Sequence, residues 1–166
     1  MIRQRHRQRS KIADSHPFAA PKQRVDGPGT ALITGAGRRI GKAIALDLAR
    51  HGWRIGVHYA SSQLEAEGVV AEIRATGAAA VALGADLADA AAAAALVPRC
   101  ATALGGPNLL VNSAALFLGD EIDSLDPAQW DRQLAVNLRA PVLLAKAFAE
   151  ALPSDRRGDI INIVDQ

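Results

Sequence analysis

The chain has 166 residues, of which 49% are hydrophobic, 22% charged and 4% aromatic, with a formal net charge of +2. This length is typical of one domain, and the high aliphatic content excludes global disorder. No apolar run approaches the roughly 18–20 residues of a membrane-spanning helix, so we expect no membrane partner. The single cysteine, Cys100, excludes an internal disulfide framework and a cysteine-based zinc site. We therefore expect no metal and a reducing, cytoplasmic location.

The positive charge is concentrated at the N-terminus. Residues 1–26 have seven Lys or Arg and two Asp, whereas the rest of the chain has 12 basic and 15 acidic side chains. A mildly acidic body does not attract nucleic acid, so we expect no nucleic-acid partner. No apolar stretch of about 7–15 residues follows the charges, as a secretory signal would require. Residues 1–28 are predicted to be a basic, disordered extension, with a phosphate- or membrane-surface-binding arm as the alternative.

Residues 29–166 are predicted to form the folded domain, because short apolar runs there alternate with segments of helical spacing. The predicted strands are 30–34, 54–59, 79–85, 109–112 and 160–164. The first predicted helix is 40–50, and the second begins after Ser61 or Ser62 and ends near 76. The third is 90–104, with Asp89 as its cap. The last helical segment runs, with a break, from the Asp126-Pro127 pair to 152. Alternating strands and helices predict an α/β fold, a doubly wound, Rossmann-type parallel sheet with helices on both faces.

A glycine-rich turn joins the first strand to the first helix and reads Thr34-Gly35-Ala36-Gly37-Arg38-Arg39-Ile40-Gly41. A glycine at position 35 permits a sharp turn, and the helix behind it aims unpaired N–H groups and a positive dipole end at the turn. In this strand–turn–helix context the pattern predicts a pyrophosphate site for a dinucleotide. The spacing departs from G-x-G-x-x-G, because Gly37 and Gly41 are four residues apart.

The end of the second strand predicts which dinucleotide is bound. An NAD site usually has a carboxylate there for the ribose 2′-OH, but this chain reads His58-Tyr59-Ala60-Ser61-Ser62. Arg38 and Arg39 lie in the neighbouring turn, and guanidinium groups bind phosphate oxygens well. We therefore expect NADP as the cofactor, with NAD as the less favoured alternative.

These motifs resemble the short-chain dehydrogenase/reductase family from about Thr30 to the end of the chain. The family's cofactor turn is Thr-Gly-x-x-x-Gly-Ile-Gly, and Arg39 replaces its middle glycine. The same replacement is found in the pteridine reductase branch, where this arginine faces the cofactor. The resemblance implies that Asp86 and Leu87 contact the adenine. It also implies cofactor contacts for Asn112, Ser113 and Ala114, which stand where the family has Asn-Asn-Ala.

The resemblance further implies hydride transfer between a nicotinamide and a small-molecule substrate, a pterin or another carbonyl compound. Asn137 matches the helix asparagine of the family's catalytic tetrad and would hold a water in the proton relay. Asp165 occupies the catalytic serine position, as in pteridine reductases, and would orient a substrate amine or donate a proton. The alternative for Asp165 is an ordinary solvated carboxylate at a strand end.

The family's Tyr-x-x-x-Lys pair does not occur in this sequence, whose one tyrosine is Tyr59. We therefore interpret the chain as the cofactor-binding portion of such an enzyme, truncated after the fifth strand and inactive by itself. The alternatives are a catalytically inactive nucleotide-binding module or decayed gene product, and a nucleic-acid-binding protein that uses the basic extension. The full-length protein is expected to form a homo-oligomer. In a truncated chain the fifth strand, 160–164, becomes a sheet edge with one bare apolar face, which predicts self-association.

Overall fold

The computed structural model describes residues 28–119 and 121–164. The predicted N-terminal extension, apart from Pro28, and Asp165 lie outside these residues. The strands are β1 (Thr30–Ile33), β2 (Arg54–Tyr59), β3 (Ala80–Gly84), β4 (Leu109–Asn112) and β5 (Asp159–Asn162). The helices are α1 (Arg39–Arg50), α2 (Gln63–Ala75), α3 (Ala90–Leu104), α4 (Pro127–Leu134) and α5 (Ala140–Ala151), and a π-helical segment, Ala135–Arg139, joins α4 to α5.

The five strands form one parallel sheet in the order β3-β2-β1-β4-β5. This confirms the predicted doubly wound α/β fold. All residues of β1 and β4 are buried, because crossover helices cover both faces of a parallel sheet. In such a sheet the carboxyl ends of the strands share one edge, and ligands bind there at the point where the strand order reverses. Here that point lies between β1 and β4.

Two hydrophobic layers hold the sheet between the helices. On one face Ile33 and Val57 pack with Ile73 of α2, and on the other face Leu32 packs with Leu96 of α3 and residues of α5. Successive residues of β1 therefore point into different layers, as the alternation of side chains along a strand requires. The fully buried β1 ends directly at the glycine-rich turn, so the turn starts from a fixed position.

Local signals in the sequence set the starts of α3 and α4. Asp89 accepts hydrogen bonds from the N–H groups of Ala91 and Ala92 at 2.8 and 3.2 Å, and Asp126 accepts from Ala128 at 2.9 Å. Both predicted caps are therefore confirmed. Ser62 occupies the N-cap position of α2 but forms no side-chain cap bond, because its backbone (φ −93°, ψ 58°) lies outside the extended region that aims a cap at the first turn.

The break predicted in the last helix is the π-helical segment. Pro141 follows it and has no N–H to donate to the carbonyl of Asn137, which removes one α-helical hydrogen bond at this point. Single-turn π segments are frequent at functional sites. Within residues 28–119 and 121–164, no helix combines the length and the hydropathy needed to cross a bilayer.

Candidate functional site

The glycine-rich turn is built on positions that exclude a side chain. Gly35 has φ +65°, and a Cβ there would lie 2.9 Å from the Cα of Ala114. A Cβ at Gly41 would lie 2.5 Å from the carbonyl oxygen of Gly35. At Gly37 a Cβ would meet the Ser62 hydroxyl at 3.2 Å. The chain therefore needs glycine at 35 and 41 to bring the turn, the start of α1 and the loop after β4 this close together.

His58 of β2 holds the turn from behind. Its side chain is 1% exposed, the N–H of Gly35 donates to its Nδ1 at 3.2 Å, and its Nε2 lies 3.0 Å from the carbonyl oxygen of Ala85. An Nδ1 that accepts must be unprotonated, so Nε2–H donates to Ala85 and the ring is neutral. Burial lowers the pKa of His58, and the charge of Arg99 acts in the same direction. His58 thus holds the turn in place, and its predicted contact with the cofactor stays a prediction.

Thr34 connects the turn to the loop after β4. Its Oγ1 accepts hydrogen bonds from the N–H groups of Ser113 and Ala114, both at 3.0 Å, and its own N–H donates to the Val111 carbonyl oxygen at 2.9 Å. The Thr34 side chain is buried and fully used in these bonds. The structure therefore brings the predicted residues Thr34, Ser113 and Ala114 together, with Thr34 as the anchor of the loop.

Two arginines, Arg38 and Arg39, lie on the open side of the turn. Arg38, Arg39 and Ile40 are exposed, and the first turn of α1 contains no acidic residue. The N–H groups at the start of α1 have no partners within the helix and add the positive end of its dipole. Arg39 has φ +49°, the left-handed conformation that favours glycine. An arginine therefore occupies a strained backbone position at the N-terminal end of α1.

Of the predicted residues at and after the end of β2, Tyr59 packs against the sheet, whereas Ser61 and Ser62 lie nearer to solvent. The ring of Tyr59 lies against Gly84 of β3, where an added Cβ would approach it to 2.9 Å. Ser62 is half-buried beside Gly37, and Ser61 is exposed. Ser62 is therefore the hydroxyl group that this segment places beside the turn.

Asp86, predicted to contact the adenine, lies after β3 with both carboxylate oxygens bonded. One oxygen accepts from the N–H of Ala88 at 2.9 Å, and the other pairs with Arg132 of α4 at 2.9 Å. The hydrogen bond from Ala88 lowers the pKa of Asp86 most, and Arg132 contributes in the same direction. The neighbouring Leu87 is 4% exposed, and its side chain packs in the core.

Asn112 is the last residue of β4, and Asn137 of the π-helical segment bonds to Leu116 in the loop after that strand. Nδ2 of Asn112 donates to Oδ1 of Asn162 at 2.8 Å, whereas its buried Oδ1 has no partner among the described residues. Asn137 accepts from the N–H of Leu116 at 2.8 Å and donates to the Leu116 carbonyl oxygen at 2.7 Å. The Asn137 side chain thus holds the loop after β4, and its predicted contact with a relay water stays a prediction.

A family model described as short chain dehydrogenase matches residues 29–165. The chain belongs to the short-chain dehydrogenase family. It is 34% identical over 134 residues to the 3-oxoacyl-[acyl-carrier-protein] reductase FabG of Staphylococcus aureus, covering 81% of this chain and 54% of that protein. The chain therefore spans about half the length of the curated relatives that it matches.

Solved structures of other short-chain dehydrogenases have the same fold. The FolM alternative dihydrofolate reductase 1 from Brucella canis, complexed with NADP, is 42% identical with a TM-score of 0.78, covering 82% of this chain and 54% of that one. A short chain dehydrogenase from Burkholderia cenocepacia, also in complex with NADP, is 40% identical with a TM-score of 0.76, covering 80% and 53%. These matches confirm the family assigned from the motifs.

Sequence reasoning missed two charged partners in this short-chain dehydrogenase, Glu65 and Arg132. Glu65 of α2 forms an ion pair with Arg38, and Arg132 pairs with Asp86. Glu65 lies three residues after Ser62, a capping-box spacing that indicates only a local role and does not point to Arg38. Nothing local marks Arg132, because its partner lies 46 residues earlier in the chain.

Proposed function

We propose that this chain binds NADP(H) and serves an oxidoreductase that transfers a hydride to or from a small-molecule substrate. The observation that carries the proposal is the glycine-rich turn, which opens onto Arg38, Arg39 and the start of α1 without a carboxylate directly after β2. An arrangement of this kind fits a pyrophosphate and a 2′-phosphate, which are the anionic groups of NADP. The NADP-bound structures of relatives support the same cofactor.

The residues that would hold the cofactor have separate tasks. The backbone N–H groups from Gly37 to Gly41 would bind the pyrophosphate, and Arg38 and Arg39 would bind the 2′-phosphate. The Asp86 carboxylate would accept from the adenine. The buried Oδ1 of Asn112, which has no partner among the described residues, is an unused acceptor at the carboxyl end of β4. When bound, NADPH supplies a hydride. His58 and Thr34 hold the turn and the loop after β4 in the positions that this ligand would need.

A pterin is the substrate class that we propose first. Arg39 at the middle-glycine position resembles the pteridine reductase branch, and the Brucella canis relative is described as an alternative dihydrofolate reductase. The Staphylococcus aureus relative is described as a 3-oxoacyl-[acyl-carrier-protein] reductase, so an acyl ketone is the second candidate. Both classes of substrate contain a reducible C=N or C=O bond. For either substrate, we propose that the protein lies in the cytoplasm.

The experiment is a calorimetric titration of the 166-residue chain with NADP⁺ and with NAD⁺. We expect tighter binding of NADP⁺, and we expect Arg39→Ala to weaken NADP⁺ binding about tenfold, as the loss of one charge-assisted hydrogen bond would. Arg50→Ala is the matched control, because Arg50 is an exposed arginine at the opposite end of α1. Equal affinity for the two dinucleotides, or equal weakening by the two substitutions, would contradict the NADP proposal.

We further propose that this 166-residue chain does not turn over substrate without additional residues. The basis is the sequence, which contains no Tyr-x-x-x-Lys pair to deliver a proton next to a nicotinamide. A nucleotide-binding module without catalysis is the second candidate function, and the absence of the Tyr-x-x-x-Lys pair from the sequence favours it. Oxidation of NADPH by the purified chain, with a dihydropterin or an acyl ketone present, would overturn this proposal.

A further inference from the structure

The Arg38 side chain is exposed, but its charge is paired. It forms an ion pair with Glu65, and the two side chains are 62% and 42% exposed. Arg38 occupies the N-cap position of α1, and Glu65 lies in the first turn of α2, so the pair joins the starts of the two helices that flank the open side of the turn. A hydrogen bond from its own backbone N–H, together with Arg38, lowers the pKa of Glu65, so the carboxylate is ionised at neutral pH.

The pair places a negative charge where the proposed ligand needs a positive one. A guanidinium fork binds a carboxylate and a phosphate through the same donors, so the two anions compete for Arg38. A phosphate beside Glu65 also experiences like-charge repulsion, whereas a ribose hydroxyl can donate to the same carboxylate. The two dinucleotides differ in this group, because NADP has a 2′-phosphate and NAD has a 2′-OH.

We propose that Glu65 is a specificity-determining residue, which competes with the 2′-phosphate of NADP for Arg38 and so limits the preference for NADP over NAD. This inference rests on the proposed function. Arg39 differs from Arg38 in this respect, because it pairs with no carboxylate among the residues that the structure describes. Arg39 thus binds the 2′-phosphate without competition from a carboxylate. The contribution of Arg38 to 2′-phosphate binding is reduced by its pairing with Glu65.

The chain contains a matched control for this proposal. Lys42 and Glu72 form a second ion pair between α1 and α2, at 2.9 Å, with side chains 40% and 49% exposed. Replacing Glu72 or Glu65 by glutamine changes the net charge by the same amount and breaks one bridge between the same two helices. Only Glu65 lies at the turn, so only its replacement should affect the 2′-phosphate.

The test is calorimetric titration of the full chain with NADP⁺ and NAD⁺, in the wild type, Glu65→Gln and Glu72→Gln. We expect Glu65→Gln to tighten NADP⁺ binding by about two- to fivefold, the range typical of an exposed ion pair, and to change NAD⁺ binding by less than twofold. Glu72→Gln should change neither affinity. The effect of Glu65→Gln should shrink at high salt, because the competing charges are exposed.

Each other result has a defined meaning. Equal tightening by Glu65→Gln and Glu72→Gln would overturn the inference in favour of a general charge effect, and no change in Glu65→Gln would overturn it directly. An undiminished effect of Glu65→Gln in an Arg38→Gln background would also overturn it, since competition requires Arg38. If the wild type binds neither dinucleotide, the proposed function fails first, and the inference falls with it.

Discussion

β1 and β5 are both short strands with central aliphatic pairs, yet their environments are opposite. β1 reads Thr-Ala-Leu-Ile and every residue is buried, whereas β5 reads Asp-Ile-Ile-Asn and every residue is exposed. Ile33 of β1 is 0% exposed, but Ile160 and Ile161 of β5 are 40% and 46% exposed. Because Ile160 and Ile161 point to opposite faces, both faces of β5 are open, not the one face that the sequence analysis predicted.

Position in the sheet explains the difference. β1 lies at the centre, paired with β2 and β4, and helices cover both of its faces. β5 pairs only with β4 and is an edge strand in the described part of the chain. Hydrophobic composition therefore predicts that a segment is a strand, whereas the number of covering elements decides how much free energy its side chains contribute.

The largest expected effect compares one isoleucine from each strand. Ile33→Ala should lower the free energy of unfolding by about 2–5 kcal/mol, because it removes a fully buried side chain and leaves a cavity. Ile161→Ala removes the same atoms from a half-exposed site and should lower it by less than about 1 kcal/mol. Urea denaturation of the two variants gives the comparison. Equal losses would mean that β5 is covered in solution.

The second prediction concerns the turn at the end of β1. Gly41→Ala places a Cβ 2.5 Å from the carbonyl oxygen of Gly35, so the turn or α1 must shift. We expect a loss of about 2–3 kcal/mol in stability together with the loss of dinucleotide binding. Gly68→Ala in α2 is the control, since nothing lies within 4 Å of its added Cβ, and it should be neutral or stabilising. Full stability in Gly41→Ala would contradict the packing described here.

A comparison of local with long-range contacts shows what the sequence can predict. The strand β2, the helix α3 and the caps Asp89 and Asp126 follow from signals within a few residues, and the structure has them at the predicted places. The ion pair of Arg38 with Glu65 joins residues 27 positions apart, and the bonds of Asn137 to Leu116 span 21 positions. Such contacts depend on how elements pack, which no local pattern specifies.

His58 illustrates the same limit on one strand. The four central residues of β2 are buried on both faces, so no alternation between buried and exposed positions indicates where the imidazole points. The sequence placed His58 at the end of the strand, near the cofactor. Only the packed structure shows that its ring lies behind the turn, bonded to Gly35 and Ala85.

The third prediction uses that buried histidine. Burial lowers the pKa of His58 below its usual 6.5, so below about pH 6.5 the unfolded chain takes up a proton that the folded chain does not. Its contribution to stability is complete above pH 6.5 and is lost as the pH falls, by about 1.4 kcal/mol per unit until the folded-state pKa is reached. Urea denaturation between pH 7.5 and 5 measures this slope.

His58→Gln should remove that part of the slope, although its stability at neutral pH will be lower because two hydrogen bonds change. The matched control is His51→Gln, since His51 is an exposed residue at the end of α1. A slope that survives in His58→Gln, or that disappears in His51→Gln, would assign the effect to another group.

The fourth prediction returns to the open strand. We expect the chain to self-associate through β5, because apolar side chains and unpaired backbone groups lie together on that edge. Ile161→Lys should weaken self-association about tenfold or more, as a charge on an edge strand does. Light scattering over a range of protein concentrations measures it. A monomeric wild type at high concentration would show that this edge is not used.

The smallest expected effect lies at the turn and links stability to binding. Arg39 has φ +49°, and replacing a non-glycine residue in the left-handed region with glycine removes backbone strain. Arg39→Gly should therefore raise the free energy of unfolding by about 0.5–1 kcal/mol while it weakens NADP⁺ binding. Arg38→Gly is the control, because Arg38 has extended backbone (φ −145°) and gains nothing from glycine.

If Arg39→Gly is less stable than the wild type, the strain at this position is offset by contacts of the arginine side chain. If it is more stable and binds equally well, the strained arginine has no part in the site. The expected combination, higher stability with weaker binding, would mean that the turn gives up stability to place a cation at the start of α1, whereas β5 contributes little stability because, within the described residues, it lies at the edge of the sheet.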